Sequence, residues 1–167
     1  MLPRSLKYTA FTAFAVLIAT PLLARDSLGM SGDWGAFRDP GVPRCYAIAK
    51  AETSAMRRDF QPYATVSTWP RKQLRGQVYF RLSRRLAEGR PVTLTIGGQR
   101  FKLLNGPADA WAEDRQMDAA IVAAMRTSAR MYVSARDDRG NRFGNSYNLT
   151  GSATALDAAT LACAKLR

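Results

Sequence analysis

The sequence predicts a single α+β domain, mainly antiparallel β-sheet of sandwich-like or curved form, with a central helix and a C-terminal helix packed on it. Three observations support this prediction. Apolar and polar side chains alternate from Val78 to Ser83, which is the period of a half-buried strand. Two β-rich segments flank the pair Gly97-Gly98, and apolar residues recur at helical spacing from Leu156 to Leu166.

The glycine pair predicts a tight hairpin between the segments 92–96 and 99–103, because glycine adopts the positive φ angles that two-residue turns require. Across such a turn the apolar residues of both segments share one face. Arg100 and Lys102 then lie on the opposite, solvent face. We therefore expect a buried face and a basic face on the same hairpin.

Three other segments are also predicted to be strands. The run Cys45–Ala49 is apolar and too short for a stable helix. The segments 131–136 and 143–149 flank the turn-forming cluster Asp137–Asn141, which indicates a second hairpin. By contrast, Gly, Asp and Pro are frequent in residues 25–44, and this composition predicts an irregular lead-in to a domain spanning 45–167.

Two helices complete the predicted fold. The first is expected to begin at Asp118, whose carboxylate can cap free N–H groups, with Ile121 and Met125 in its buried stripe. The second runs from about Ser152 or Thr154 to Lys165. Its spacing turns Cys163 toward the core.

The first 24 residues have the composition of a secretory signal peptide. Arg4 and Lys7 form a basic head, an apolar run extends from Tyr8 to Leu23, and Ala24 offers a small residue for cleavage. The run is short for a membrane span, which needs about 20 residues. We expect cleavage before Arg25, with an uncleaved N-terminal anchor as the alternative, and no transmembrane span after cleavage.

The two cysteines, Cys45 and Cys163, are expected to pair, since an exported protein meets an oxidising compartment. Two separately buried thiols are the alternative. The chain contains no histidine, which excludes Ser-His-Asp and Cys-His catalysis. We expect no catalytic residue, cofactor or metal site, and we interpret the acidic clusters at Glu113-Asp114 and Asp137-Asp138 as helix-start and turn residues.

The positive charge is concentrated in one stretch. Without Arg4 and Lys7 the chain carries a formal charge of +10, and residues 71–102 supply +8 of it. A candidate anion-binding patch follows from the predicted strands, and it consists of Arg81, Arg84, Arg85, Arg90, Arg100 and Lys102. Its expected partners are anionic lipid, lipopolysaccharide or another envelope protein. Export argues against nucleic acid, and a merely solvated basic face is the alternative.

Three segments carry a resemblance to a known family. They are Gly32-Asp33-Trp34, Cys45-Tyr46-Ala47 and the C-terminal stretch 147–157, which reads YNLTGSATALD. In these the chain resembles the invasion-associated locus B family of alphaproteobacterial envelope proteins. The resemblance implies a periplasmic or surface-exposed, non-enzymatic protein. Members often carry a close cysteine pair before the central helix, and this chain has none there.

The sequence is compatible with three functions. The leading hypothesis is a periplasmic or secreted binding or structural module of the cell envelope. The runner-up is a secreted enzyme that uses carboxylates and arginines alone. An adhesin for host surfaces follows only from the name of the family.

Overall fold

Strands occupy most of the chain in the computed structural model, which describes residues 25–164. The predicted signal peptide and residue Lys165 lie outside that range. The strands are β1 (Asp26–Ser31), β2 (Trp34–Asp39), β3 (Arg44–Lys50), β4 (Tyr63–Trp69), β5 (Leu74–Arg81), β6 (Val92–Ile96), β7 (Gln99–Asn105), β8 (Asp109–Trp111), β9 (Arg130–Arg136) and β10 (Arg142–Asn148). The helices are α1 (Arg115–Thr127) and α2 (Ser152–Ala164), with one 3-10 turn at Pro70–Lys72.

The ten strands form one open antiparallel sheet in the order β1-β2-β3-β4-β5-β8-β7-β6-β9-β10. This confirms the predicted α+β class. The glycine hairpin has the expected register, with Val92 opposite Leu103 and Ile96 opposite Gln99. β7 joins the two halves of the sheet, because its first residues pair with β6 and its last two pair with β8.

The sheet is strongly curved, so that the inner faces of its two halves pack against each other. The rings of Phe80 in β5 and Tyr147 in β10 lie 6.0 Å apart between centroids, although four strands separate β5 from β10 in the sheet. α2 packs on β1 to β4 and α1 packs mainly on β5. The core is therefore closed by strands from both halves and by the two helices, and Phe80, Leu94 and Ile121 are fully buried in it.

The segment 25–44 is not the irregular lead-in that its composition predicted. It forms the hairpin of β1 and β2, with the turn at Gly32-Asp33 and a bulge beside Gly29. Gly29 and Gly32 both have positive φ angles. The glycines thus sit at the irregular points of the hairpin, while backbone hydrogen bonds and the burial of Trp34 support the strands between them.

The central helix begins earlier than predicted. Asp114 is its N-cap, accepting a hydrogen bond from the Met117 N–H at 2.7 Å. Asp118 lies in the first turn and instead accepts the Val78 N–H at 2.8 Å. Burial raises the pKa of Asp118, and the bond from Val78 offsets part of that rise. Asp118 therefore ties the helix to β5 rather than capping it.

The first hairpin is in close contact with the end of β10 and the residues just before α2. The Trp34 indole N–H donates to the Asn148 carbonyl at 2.8 Å. A Cβ atom at Gly32 would lie 2.3 Å from the Thr150 carbonyl oxygen, and one at Gly151 would lie 2.1 Å from the Ser31 carbonyl oxygen. Only glycine permits such close backbone approach at both positions. Two of the three segments that carry the family resemblance are thus in direct contact.

The predicted pairing of the cysteines is confirmed. Cys45 in β3 and Cys163 in α2 form a disulfide with a Cα–Cα distance of 5.7 Å. Both residues are buried. No helix within residues 25–164 is long and apolar enough to cross a membrane.

Candidate anion-binding face of the sheet

Six basic side chains lie on or beside the solvent face of β6, β7, β9 and β10, and one of them, Arg130, forms a salt bridge with Glu52. The other five form none with the described residues. We call this set the cationic face, and it consists of Arg90, Arg100, Lys102, Arg136 and Arg142. Residues paired across antiparallel strands project to the same side of a sheet. The buried residues that alternate with them, such as Leu94 and Val133, belong to the core on the other side.

The register explains how these residues come together. Lys102 lies opposite Thr93, which in turn lies opposite Ser134. Arg136 is two residues beyond Ser134 on the same face and lies opposite Arg142. Two short side chains, Thr93 and Ser134, therefore separate Lys102 from the pair of arginines on β9 and β10.

A groove of about 540 Å³ lies within the cationic face. Arg90 enters it from the connection before β6, and Arg136 and Arg142 line it from the last hairpin. Tyr132 and Ser134 supply hydroxyl groups between these arginines. The arrangement suits phosphate or carboxylate groups, which arginine binds through paired N–H donors.

The charge of this face is not neutralised by the rest of the described chain. The four strands contain no Asp or Glu. Within residues 25–164 none of the five basic side chains forms a salt bridge. Arg136 and Arg142 are even paired directly across strands, a placement of like charges that weakens a sheet. The face therefore presents a positive field to the solvent.

The structure divides the predicted patch. Arg90, Arg100 and Lys102 belong to the cationic face. Arg81 forms a salt bridge with Asp109, with 2.8 Å between its guanidinium nitrogen and the carboxylate oxygen. Arg84 forms a salt bridge with Asp137 at 3.0 Å.

The hydrogen bond to Asp109 raises the pKa of Arg81, and the salt bridge places an opposite charge beside its guanidinium. Burial alone would raise the pKa of Asp137, but donors from Asn141 and Arg84 lower it below its ordinary value. Arg85 is exposed in the connection after β5, with its guanidinium 5.9 Å from the Phe60 ring centre. Arg81 and Arg84 are thus paired with carboxylates, whereas Arg85 is exposed and forms no salt bridge with the described residues.

Sequence reasoning missed Arg136 and Arg142. Both flank the turn of the predicted second hairpin, with Arg136 at the end of its first strand and Arg142 just before its second. A register across the Asp137–Asn141 turn would have placed them opposite each other. The net charge of this part of the sequence is low, because Asp137 and Asp138 offset the charges of Arg136 and Arg142. A count of charge along the chain therefore does not single out the two arginines. In space, Asp137 accepts bonds from Arg84 and from the N–H groups of Arg139 and Asn141.

No cluster of three or more metal-ligating side chains occurs in the part of the chain that the structure describes. No protein-family model matches this chain, and neither the search of curated proteins nor the search of solved structures found a match. Functional inference therefore rests on the geometry of the molecule itself.

Proposed function

We propose that this protein is an exported, non-enzymatic binding module of the cell envelope, periplasmic or secreted, of the invasion-associated locus B type. It binds anionic phosphate groups of lipid or lipopolysaccharide through the cationic face. The observation that carries the proposal is the set of five unneutralised basic side chains on one sheet face. The buried disulfide supports export, because such bonds persist in oxidising compartments.

The cationic face has the properties that surface binding requires. Arg100 and Lys102 are exposed and lie on regular strands, so little chain ordering is needed on contact. A basic side chain near an anionic membrane contributes about 1 kcal/mol. Several side chains acting together give weak but measurable binding, which depends strongly on salt.

The direct test is sedimentation with vesicles of phosphatidylglycerol and phosphatidylcholine, with lipopolysaccharide aggregates as a second arm. We expect binding at about 0.01 M salt and its loss at about 1 M, where the Debye length falls from about 30 Å to about 3 Å. The variant Arg100→Glu/Lys102→Glu should lose at least about tenfold in binding, since it replaces two attractive charges by two repulsive ones.

A matched control makes the same change in net charge elsewhere. Arg71 and Arg115 are exposed, and they lie in the 3-10 turn and at the start of α1. The variant Arg71→Glu/Arg115→Glu should bind like the wild type. Equal losses in both variants would show that only net charge matters, and would refute a specific cationic face.

Export is tested separately by fractionating cells and measuring the intact mass of the native protein. We expect the protein in the periplasm or medium with a mass that corresponds to a start near Arg25. A mass that includes Met1 would show that the first 24 residues are retained.

A further inference from the structure

A second groove lies on the solvent face of β3, β4, β5 and β8, apart from the cationic face. It has a volume of about 620 Å³, within the range of about 300 to 1,000 Å³ that is common for small-molecule sites. Five aromatic rings line it, from Tyr46, Tyr63, Trp69, Tyr79 and Trp111. We call it the aromatic groove.

The register of the sheet places these rings side by side. Tyr79 lies opposite Thr65 on one side and opposite Trp111 on the other. The rings of Tyr63 and Tyr79 lie 6.1 Å apart between centroids. The opposite face of these strands packs in the core. Tyr46 is buried, whereas the other four rings remain partly exposed in the groove. Aromatic surface gathered in a groove on the solvent face is typical of a binding site.

Two arginines line this groove, Arg25, which pairs with Asp39, and Arg44. Arg44 lies closer to the aromatic rings. Its guanidinium lies over the rings of Tyr46 and Trp69, at 4.3 Å and 5.0 Å from their centres. Its Nε atom is buried and has no hydrogen-bond partner among the described residues. The adjacent carboxylate, Asp39 on the paired strand, instead faces Arg25 at 3.9 Å and accepts the Val42 N–H. Arg44 thus keeps an unbalanced charge in a partly apolar place.

The remaining polar groups of the groove are uncharged or already balanced. Trp69 donates its indole N–H to the Gln77 side-chain oxygen at 3.2 Å. The amide N–H groups of Gln77 are not used in this hydrogen bond. At the other end the Tyr79 hydroxyl donates to Asp109, whose charge Arg81 neutralises. The groove therefore offers aromatic faces, amide and hydroxyl groups, and two arginines, of which Arg44 forms no salt bridge with the described residues.

We propose that the aromatic groove binds an acidic saccharide. The C–H face of a sugar ring packs on Trp111 and Tyr79, its hydroxyl groups bond to Gln77 and neighbouring polar groups, and its acidic group pairs with Arg44. A purely apolar ligand would leave Arg44 and Gln77 unpaired, at a cost in affinity. A small inorganic anion would leave the aromatic rings unused. The anion can be a carboxylate, as in a uronic acid, or a sugar phosphate.

Tryptophan fluorescence reports on this groove directly. The chain has three tryptophans, of which Trp34 is buried in the core, while Trp69 and Trp111 line the groove. The experiment titrates the protein with trigalacturonic acid and with its uncharged counterpart, α-1,4-linked galactotriose. A parallel arm compares mannose 6-phosphate with mannose, and calorimetry supplies the affinities.

We expect at least one acidic sugar to change the fluorescence and to bind at least about tenfold more tightly than its neutral counterpart, because its charged group adds charge-assisted hydrogen bonds to Arg44. Arg44→Gln should remove this preference, and Arg44→Lys should retain part of it. Trp111→Ala should weaken binding at least about fivefold, and Trp111→Phe should weaken it less.

The proposals for the aromatic groove and for the cationic face can be tested independently. Arg100→Glu/Lys102→Glu should leave saccharide binding unchanged while it removes vesicle binding. The inference is overturned if neither acidic sugar binds, if acidic and neutral sugars bind equally, or if Arg44→Gln binds like the wild type. Thermal unfolding of each variant confirms that the sheet is intact before affinities are compared.

Discussion

The disulfide between Cys45 and Cys163 should be a major source of stability. It closes a loop of 118 residues between β3 and α2. In the chain-entropy relation, a loop of this length restricts the unfolded chain by up to about 5 kcal/mol. We therefore expect Cys45→Ala/Cys163→Ala to lower the free energy of unfolding by about 3 to 5 kcal/mol.

Other contacts keep α2 in place when the bridge is absent. Ala155, Leu156 and Ala159 remain buried against the sheet, so the variant should fold to the same structure. Both sulfur atoms lie in the core, and their removal adds a small packing loss to the entropic effect. Nearly all of the destabilisation should nevertheless arise in the unfolded state.

Urea unfolding followed by far-ultraviolet circular dichroism measures the difference. The variant should have a lower midpoint and a slightly larger dependence on urea, because its unfolded chain exposes more surface. Dithiothreitol should destabilise the wild type and leave the variant unchanged. A loss below about 1 kcal/mol would refute the argument, since it would mean that the bridge hardly restricts the unfolded chain.

Two further predictions concern Tyr147 and Gly151. Tyr147→Phe should leave stability unchanged or raise it by about 1 kcal/mol, because the buried hydroxyl has no hydrogen-bond partner among the described residues. Burial also raises the pKa of Tyr147, so the native protein keeps this proton when the unfolded chain loses it. Wild-type stability should therefore fall as pH rises above about 10, and less steeply in Tyr147→Phe, which urea unfolding between about pH 8 and 11 can measure. A steeper fall in the variant would contradict this assignment. Gly151→Ala should cost several kcal/mol by thermal unfolding, since its Cβ would meet the Ser31 carbonyl oxygen at 2.1 Å. The control Gly89→Ala also has a positive φ angle but open space around it, and should cost only about 1 kcal/mol; equal costs would show that the close contact is not the cause.

Local patterns predicted the parts of the fold that local rules determine. The Gly97-Gly98 hairpin has the expected register because two glycines and alternating side chains leave few other pairings. The C-terminal helix and the inward Cys163 follow from simple helical spacing. β4 was missed because its inward residues, such as Ala64 and Val66, are small and alternate with threonine and serine, which weakens the apolar signal.

The candidate sites depended on distances that a sequence does not contain. Charge counted along residues 71–102 placed Arg81 and Arg84 in the basic patch, but Asp109 in β8 and Asp137 in the turn after β9 neutralise them. The aromatic groove is assembled from residues between Tyr46 and Trp111, which the sheet order brings together across three strand pairs. Arg44 looked unremarkable in sequence, because only its stacking and its missing partner distinguish it.

The contact between the first hairpin and the start of α2 determines when the protein can finish folding. The hydrogen bond from Trp34 to Asn148 spans 114 positions, so the first hairpin can pair with β3 early but lacks this hydrogen bond and its packing on α2 until the C-terminal residues have been synthesised. Contacts so distant in sequence make folding slow and expose unpaired strands in the meantime. The face of the first hairpin that packs on α2 therefore stays uncovered until that helix has formed. Truncation of the chain before Ser152 would remove α2, and the structure lost with it would be mainly at the N-terminal end, where β1 to β4 pack on that helix.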